Sequence, residues 1–481
     1  MLFWILVFST ILTRTISLTM STEVTASDRR PTMRSISSTL SVLSSPSSSH
    51  LSSESIDKRI SLMVERAKKG TPLTEEEIEG IEKGLKNLSP IVDTNGVGSD
   101  ESIDYAGLQD LLIQVAHLSH KDWDVTSKNS DLLGETLSIG TSHSSNGNGT
   151  DPLGRSSRQL LERILTDGNW DGAIANARDR SQRPSNDKSW AVLVTGVNGI
   201  RKTTSIYQPW FPQLLSEALV QPPSPTTEEV REGNSNKNKK PKIEESRILC
   251  DDLPTGSNSF FRQLDHMICT LCNEEFARLY AWSASQLPKV QQGEEHICLP
   301  SDDVVEKYSN YKAAIFSRFR TISELLGALL LKQAQKVNIN CMVETSGRDI
   351  SMFHYVDQFF GENNNYNKLA LHFTINDLVC AQQSVDRRMI DEIHAGAKAI
   401  ENGNVFDIIY TNQGGPYGSK VLESVQKDSD RVWEQQVITG NVGKGWYKAT
   451  IAISAHQSEP WTAQAVKPDG SLGTKYTFEP R

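Results

Sequence analysis

The chain has 481 residues, a net charge of −9 and six cysteines, and 37 % of its residues are hydrophobic. That length holds two or three domains, the low hydrophobic fraction predicts a globular core diluted by unstructured segments, and the acidic balance argues against a nucleic-acid protein held by bulk electrostatics. No apolar run reaches the ~20 residues of a membrane span, and the sparse cysteines, several of them in apolar runs, read as buried thiols rather than a disulfide framework.

Leu2–Leu12 is apolar, like the central region of a signal peptide, but no basic residue precedes it. Arg14, Arg29, Arg30 and Arg34 follow against only Glu23 and Asp28, and Ser35–Ser55 holds 12 serines in 21 residues. Arg-rich, Ser-rich and acid-poor is the composition of an organelle transit peptide. The other reading is an unstructured tail ahead of a start at Met20 or Met33. Residues 1–55 are thus a targeting-like or disordered segment. The chain is expected in a mitochondrion or plastid if this is a transit peptide, and in the cytoplasm otherwise.

Residues 56–88 are charged with a helical period. Thr74 (or Thr71) caps the second half, and Glu75–Glu77 fill its first turn, with Glu77 at the capping-box position before Ile78, Ile81 and Leu85. Ser102–His117 sets Ile103, Leu108, Leu111, Leu112 and Val115 at helical spacing. Residues 56–125 are expected to be accessory helices without chemistry. Residues 126–151, with their Ser-Asn-Gly-Asn-Gly-Thr stretch, are expected to be a flexible linker.

The main domain is expected over residues 152–440. Arg155–Arg178 is helical, with Trp170 and Ile174 on its apolar face. A Val-rich strand ending at Thr195 then runs into Gly196-Val197-Asn198-Gly199-Ile200-Arg201-Lys202-Thr203-Thr204. The pattern G-x-x-x-x-G-K-[ST] is met at Gly196, Lys202 and Thr203, but Arg201 stands where the second glycine belongs. The backbone N–H groups of such a loop point at one place, which suits phosphate. Lys202 is then a point charge for β/γ-phosphate oxygens, and Thr203 a hydroxyl ligand for Mg²⁺. Arg201 either crowds the loop into a strained conformation or lies outward.

Ile206–Val220 continues as helix, interrupted by Pro209 and Pro212, and residues 221–246 are polar and proline-rich, a disordered insertion. Ile248–Cys250 reads as a second strand ending at Asp251 and Asp252. Phe260–Trp282 and Val304–Lys336 read as helices. Val337–Val343 is a third strand ending at Glu344, followed by helix over Ile350–Phe360. Lys368–Ile375 is a fourth strand, Leu378–Ala399 a helix carrying Arg387 and Arg388, and Phe406–Tyr410 a fifth strand entering the glycine-rich Asn412–Pro416. Alternating strands and helices predict a mostly parallel sheet covered on both faces, with ligands at the strand ends. Residues 441–481 alternate over Tyr447–Ser454 and turn at Pro468–Gly473, which predicts a small β appendage.

Several polar groups then offer chemistry. Asp251 or Asp252 is placed to take the proton of an attacking hydroxyl, or else to cap the turn before Pro254. Glu344 organises Mg²⁺ or its water, or else pairs with Arg348. Arg387 and Arg388 neutralise a transferred phosphoryl group, or else lie on a solvated helix face. His266-x-x-Cys269-x-x-Cys272, with His296 and Cys298 further on, lacks a second C-x-x-C and reads as buried thiols rather than a zinc site.

This order of features, strand–glycine loop–helix, strand–Asp, strand–Glu344-Thr345-Ser346-Gly347-Arg348, strand–helix with arginines, resembles the P-loop kinase group of the P-loop nucleoside triphosphate hydrolase superfamily. Within it the chain is similar to the zeta-toxin-like phosphotransferases, over about Ser189–Asn412 less the insertion. The resemblance implies a three-layer P-loop core, to which the sequence pattern adds the N-terminal helical segment and the small C-terminal β appendage. It implies ATP and Mg²⁺ on residues 196–204, metal on Thr203 and Glu344, a base at Asp251 or Asp252, and a phosphate-clamping arginine at Arg387 or Arg388. The expected activity is transfer of the γ-phosphate of Mg-ATP to a hydroxyl of a small molecule, with no nucleic-acid partner and no stable membrane span. The alternative is a catalytically decayed nucleotide-binding or scaffold protein, with Arg201 as the mark of decay.

Overall fold

The computed structural model describes residues 53–88, 103–140, 151–182, 188–219, 253–288, 299–361, 363–455, 459–467 and 469–478. The expectations for residues 1–52, the insertion at 221–246, the strand Ile248–Cys250, Asp251, Asp252, His296 and Cys298 lie outside them.

Helices α1 (Ser53–Lys69), α2 (Glu75–Leu88), α3 (Tyr105–Val115), α4 (Trp123–Thr136), α5 (Arg155–Leu160), α6 (Glu162–Asp167) and α7 (Trp170–Ser181) precede strand β1 (Ser189–Thr195). Next come α8 (Lys202–Ile206), α9 (Phe211–Leu219), β2 (Ser259–Arg262), α10 (Leu264–Leu271), α11 (Asn273–Gln286), α12 (Asp302–Lys336) and β3 (Asn340–Glu344). Then follow α13 (Ser351–Phe359), β4 (Tyr366–Ile375), α14 (Leu378–Asn402), α15 (Val405–Thr411), α16 (Leu422–Val432), a π-helical turn, and strands β5 (Tyr447–Ile453), β6 (Trp461–Ala465) and β7 (Tyr476–Phe478).

The strands of the described residues form one sheet in the order β2-β3-β1-β4-β5-β6-β7. The pairs β2–β3, β3–β1, β1–β4 and β4–β5 are parallel, and β5–β6 and β6–β7 are antiparallel. Both faces are covered. Along β1, Ala191 and Leu193 enter one hydrophobic core, while Trp190, Val192 and Val194 enter the other. A strand buried on both faces reads as a continuous apolar run, as β1 does. No helix among the described residues is long and apolar enough to cross a membrane.

The N-terminal helices are bound to this body. Thr74 and Glu77 form the expected capping box: the Thr74 amide donates to Glu77 Oε2 at 2.7 Å and the Glu77 amide to Thr74 Oγ1 at 3.4 Å. Glu77 then receives Arg318 of α12 at 2.8 and 2.9 Å, and the same guanidinium holds the carbonyls of Thr71 and Pro72.

Four expectations are corrected. The flexible linker begins too early, because residues up to Thr136 form α4. Asp122 caps it, and Trp123, Thr126, Ser130 and Leu133 are buried on one helical face. Phe260–Trp282 is not one helix: Phe260 and Phe261 lie on β2, Phe260 against Trp170 at 4.9 Å in one core and Phe261 in the other. Phe406–Tyr410 is α15 and not a strand. Asn404 caps it, and Val405, Ile408 and Ile409 are buried at helical spacing, which a short apolar run does not distinguish from a strand. The C-terminal strands are not an appendage. β5 takes the fifth parallel position, and β6 and β7 extend the same sheet.

Candidate functional site

Strands β1 and β3 are neighbours whose connections leave in opposite directions, β1 leading to β2 beyond β3, and β3 leading to β4 beyond β1. In an open α/β sheet the crevice at such a point, outside the carboxyl ends of the strands, is where ligands bind. A cavity of about 880 Å³ lies there.

The loop after β1 is fixed from below by Val197 and Ile200, both buried in the core that contains Val194. Gly196 (φ 130°) and Gly199 (φ 84°) take backbone conformations that other residues rarely adopt, and a side chain at Gly199 would meet the Ala381 carbonyl of α14 at 2.5 Å. Asn198, Gly199, Arg201, Lys202, Thr203 and Thr204 line the cavity. Lys202 is buried. Its Nζ donates to the carbonyls of Gly196 and Val197, each at 2.7 Å, and pairs with Glu344 Oε1 at 3.0 Å. The Thr203 hydroxyl donates to Glu344 Oε2 at 3.1 Å. Glu344 thus stands at the end of β3 with one oxygen on each loop residue.

Arg201 sits at φ 62°, ψ 26°, in the left-handed region, with its side chain exposed. Both open readings of this residue therefore hold in part: the backbone is strained and the side chain is exposed at the cavity. Holding an L-residue there costs about 1–2 kcal/mol. Helix α8 behind it is only 5 residues long, so the loop's own amides and Lys202, rather than a long helix dipole, would carry any phosphate contact.

Of the two arginines on α14, Arg388 lines the cavity and donates to the Gln413 carbonyl at 3.4 Å, whereas Arg387 is exposed and away from it. The Asn412–Pro416 segment also lines the cavity. Arg348 lies over the ring of Tyr417 at 5.4 Å, so the two close part of the rim.

One carboxylate escaped the sequence reading. Asp265 lies just past β2, in the first turn of α10, half-buried in the cavity wall. Its Oδ2 and Asn198 Nδ2 both face Gly415, where a side chain would come within 3.8 and 2.9 Å of them. Burial pushes its carboxyl up to about 6, with Glu344 and Glu392 adding to the rise and Lys312 and Arg388 opposing it. Reading residues 260–282 as one helix hid the signal, a strand of adjacent aromatics followed by an aspartate. Lys312 and Glu392 form a fully buried pair at 2.7 and 2.8 Å behind it, and Glu392 also accepts the Gln413 amide at 3.2 Å.

Cys269 and Cys272 are buried in the core, and burial raises both thiols. Burial also depresses the neighbouring His266 to about 3, with Arg163 contributing. Among the described residues no group of three or more His, Cys, Asp or Glu is gathered to hold a metal. The Thr203 hydroxyl and Glu344 carboxylate are instead a small oxygen set, the kind that suits a magnesium ion keeping most of its waters.

The comparisons with known proteins add no family to this geometry: no family model, no curated protein and no solved structure matches the chain.

Proposed function

We propose that the chain is an ATP-dependent phosphotransferase that moves the γ-phosphate to a hydroxyl of a small molecule. The observation that carries this reading is the convergence on one cavity of Lys202 and Thr203, both bonded to Glu344, with Asp265 and Arg388 in the same walls. An ammonium and backbone amides suit the β- and γ-phosphates. Mg²⁺, which would be held through Thr203 and Glu344, neutralises phosphate charge when bound. Asp265 accepts the proton of the acceptor hydroxyl as that oxygen bonds to the γ-phosphorus and the bond to the β,γ-bridging oxygen breaks, releasing ADP. A carboxyl raised to about 6 is a better base than an ordinary aspartate and is still mostly ionised at neutral pH. Arg388 supplies positive charge to the transferred group.

A second reading, nucleotide binding without turnover, is favoured by Arg201 in the left-handed position of the loop. Calorimetric titration with Mg-ATP and a turnover assay on the same protein separate the two. In the leading reading Lys202→Met abolishes both signals while the circular dichroism spectrum is kept. Undiminished ATP binding in that folded variant would refute the site.

A further inference from the structure

The N-terminal helices, expected to be without chemistry, form a wall of the cavity. Lys68 of α1 and His120 and Lys121, between α3 and α4, line it together with Arg320 of α12. The glycine loop occupies the β1/β4 side, with Gly199 packed on α14. The wall covers the β2/β3 side, where Arg262 of β2 binds Glu324 of α12 and Lys121 binds Asp349 beyond β3 at 2.9 Å. Asp265 lies between these sides, within electrostatic reach of Lys312 of α12, Glu344 of β3 and Arg388 of α14.

The charge on the β2/β3 side does not balance. Glu324 is fully buried and is shared by two guanidiniums, Arg262 and Arg320. Arg320 is bound to it through Nε and Nη2, both at 3.3 Å on the one oxygen Oε1, and has no other carboxylate partner among the described residues. Lys68 has no carboxylate partner among the described residues, while Lys121 is neutralised by Asp349. His120, held down to about 4 by burial and by Arg320, is a neutral donor or acceptor rather than a further charge. A chain of net charge −9 thus places in one recess, across from the glycine loop, a lysine without a carboxylate partner among the described residues and an arginine that shares its carboxylate with Arg262. A half-buried guanidinium and an exposed ammonium lining one recess match phosphate oxygens.

We propose that the acceptor itself carries a phosphate group, and that Arg320, with Lys68 and His120, binds that group on the β2/β3 side of the cavity. The phosphate anchors the molecule, and its hydroxyl is presented toward Asp265. This rests on reading the glycine loop as the ATP site only for the direction of transfer; the anion site itself stands on the wall.

The test is calorimetric titration of the full-length protein with inorganic phosphate, in the presence of saturating Mg-ADP and separately in Lys202→Met, with acetate at equal ionic strength as the control anion. Phosphate should bind in both settings and acetate should not. Arg320→Gln should weaken phosphate binding about tenfold or more, the range expected for losing a charge-assisted contact, Lys68→Gln about threefold, as for an exposed charge, and Arg320→Lys should recover part of the loss. Mg-ADP affinity should be unchanged in these variants. Phosphate binding that is indifferent to both Arg320→Gln and Lys68→Gln, or matched by acetate, overturns the proposal. If Arg320→Gln does not fold, Lys68→Gln, on the exposed side of α1, decides alone. Failure of wild type to bind Mg-ADP would count against the phosphotransferase reading and would leave the Arg320 dependence in Lys202→Met as it is.

Discussion

Replacing Asp265 by Asn should make the protein more stable and inactive at once. The carboxyl is pushed from its ordinary 3.8 up to about 6 in the fold, chiefly by burial. A raised carboxyl means that the folded state holds its proton more tightly than the unfolded chain does. The charge therefore costs nothing below the unfolded value, where both states are protonated. The cost grows as pH rises through 3.8 to 6 and is constant above. A difference of about two pH units is worth roughly 3 kcal/mol, so Asp265→Asn, which keeps the shape and removes the charge, should gain about 1.5 kcal/mol at pH 5 and up to about 3 kcal/mol at pH 8. Urea denaturation at the two pH values, reading the midpoint at constant slope, measures this. Turnover by the wild type should rise with pH through about 6 and should be lost in the variant. A gain that is equal at both pH values, or a loss of stability, would show that Asp265 is not a carboxylate held in an unfavourable site.

The loop and its surroundings give three further tests. Arg201→Gly relieves the left-handed strain at φ 62° and should stabilise by about 0.5–1 kcal/mol once the extra freedom of glycine in the unfolded chain is subtracted. Measured with turnover, it also tests the second functional reading: higher activity marks Arg201 as decay, lower activity as a working part. Lys312→Met leaves Glu392 buried without its partner and should cost about 3–5 kcal/mol in chemical denaturation, with most of it recovered in Lys312→Met/Glu392→Met. Arg388→Gln should lower kcat about 100-fold, while Arg387→Gln, on the exposed side of α14, should stay within about twofold; equal effects would refute the choice between them.

The sequence was most legible where local chemistry and burial agree. The loop at Gly196–Thr203 follows a strand that is buried on both sides, so its Val-rich run, its glycines and its lysine all point the same way. The capping box at Thr74 and Glu77 is equally local. Legibility failed where tertiary packing decides. Phe260 and Phe261 become a strand because Trp170 and the second core cover opposite sides of an edge position, which residues 260–282 alone do not reveal. Phe406–Tyr410 has the apolar content of either element, and only Asn404 as a cap marks it as helix. The same failure concealed Asp265, whose role depends on where β2 ends. The basic wall is a purely tertiary feature: Lys68, His120 and Arg320 are far apart in sequence and line one cavity because both α1 and α4 pack on α12.

Helix α12 runs for 35 residues, about 52 Å, and nearly every charged group it buries has one assigned partner elsewhere. Lys312 faces Glu392 on α14, Arg318 faces Glu77 on α2, and Glu324 faces Arg262 on β2. These partners lie in different directions around the helix, so its phase is keyed at several points like a lock with separate wards. A single inserted residue would turn everything after it by about 100° and unseat the later keys together. Between Lys312 and Glu324 a change of length is therefore costlier than a substitution at any exposed position, whereas loops elsewhere can grow. The length of this interval, more than the identity of any one residue in it, should be the trait that descendants of this sequence keep.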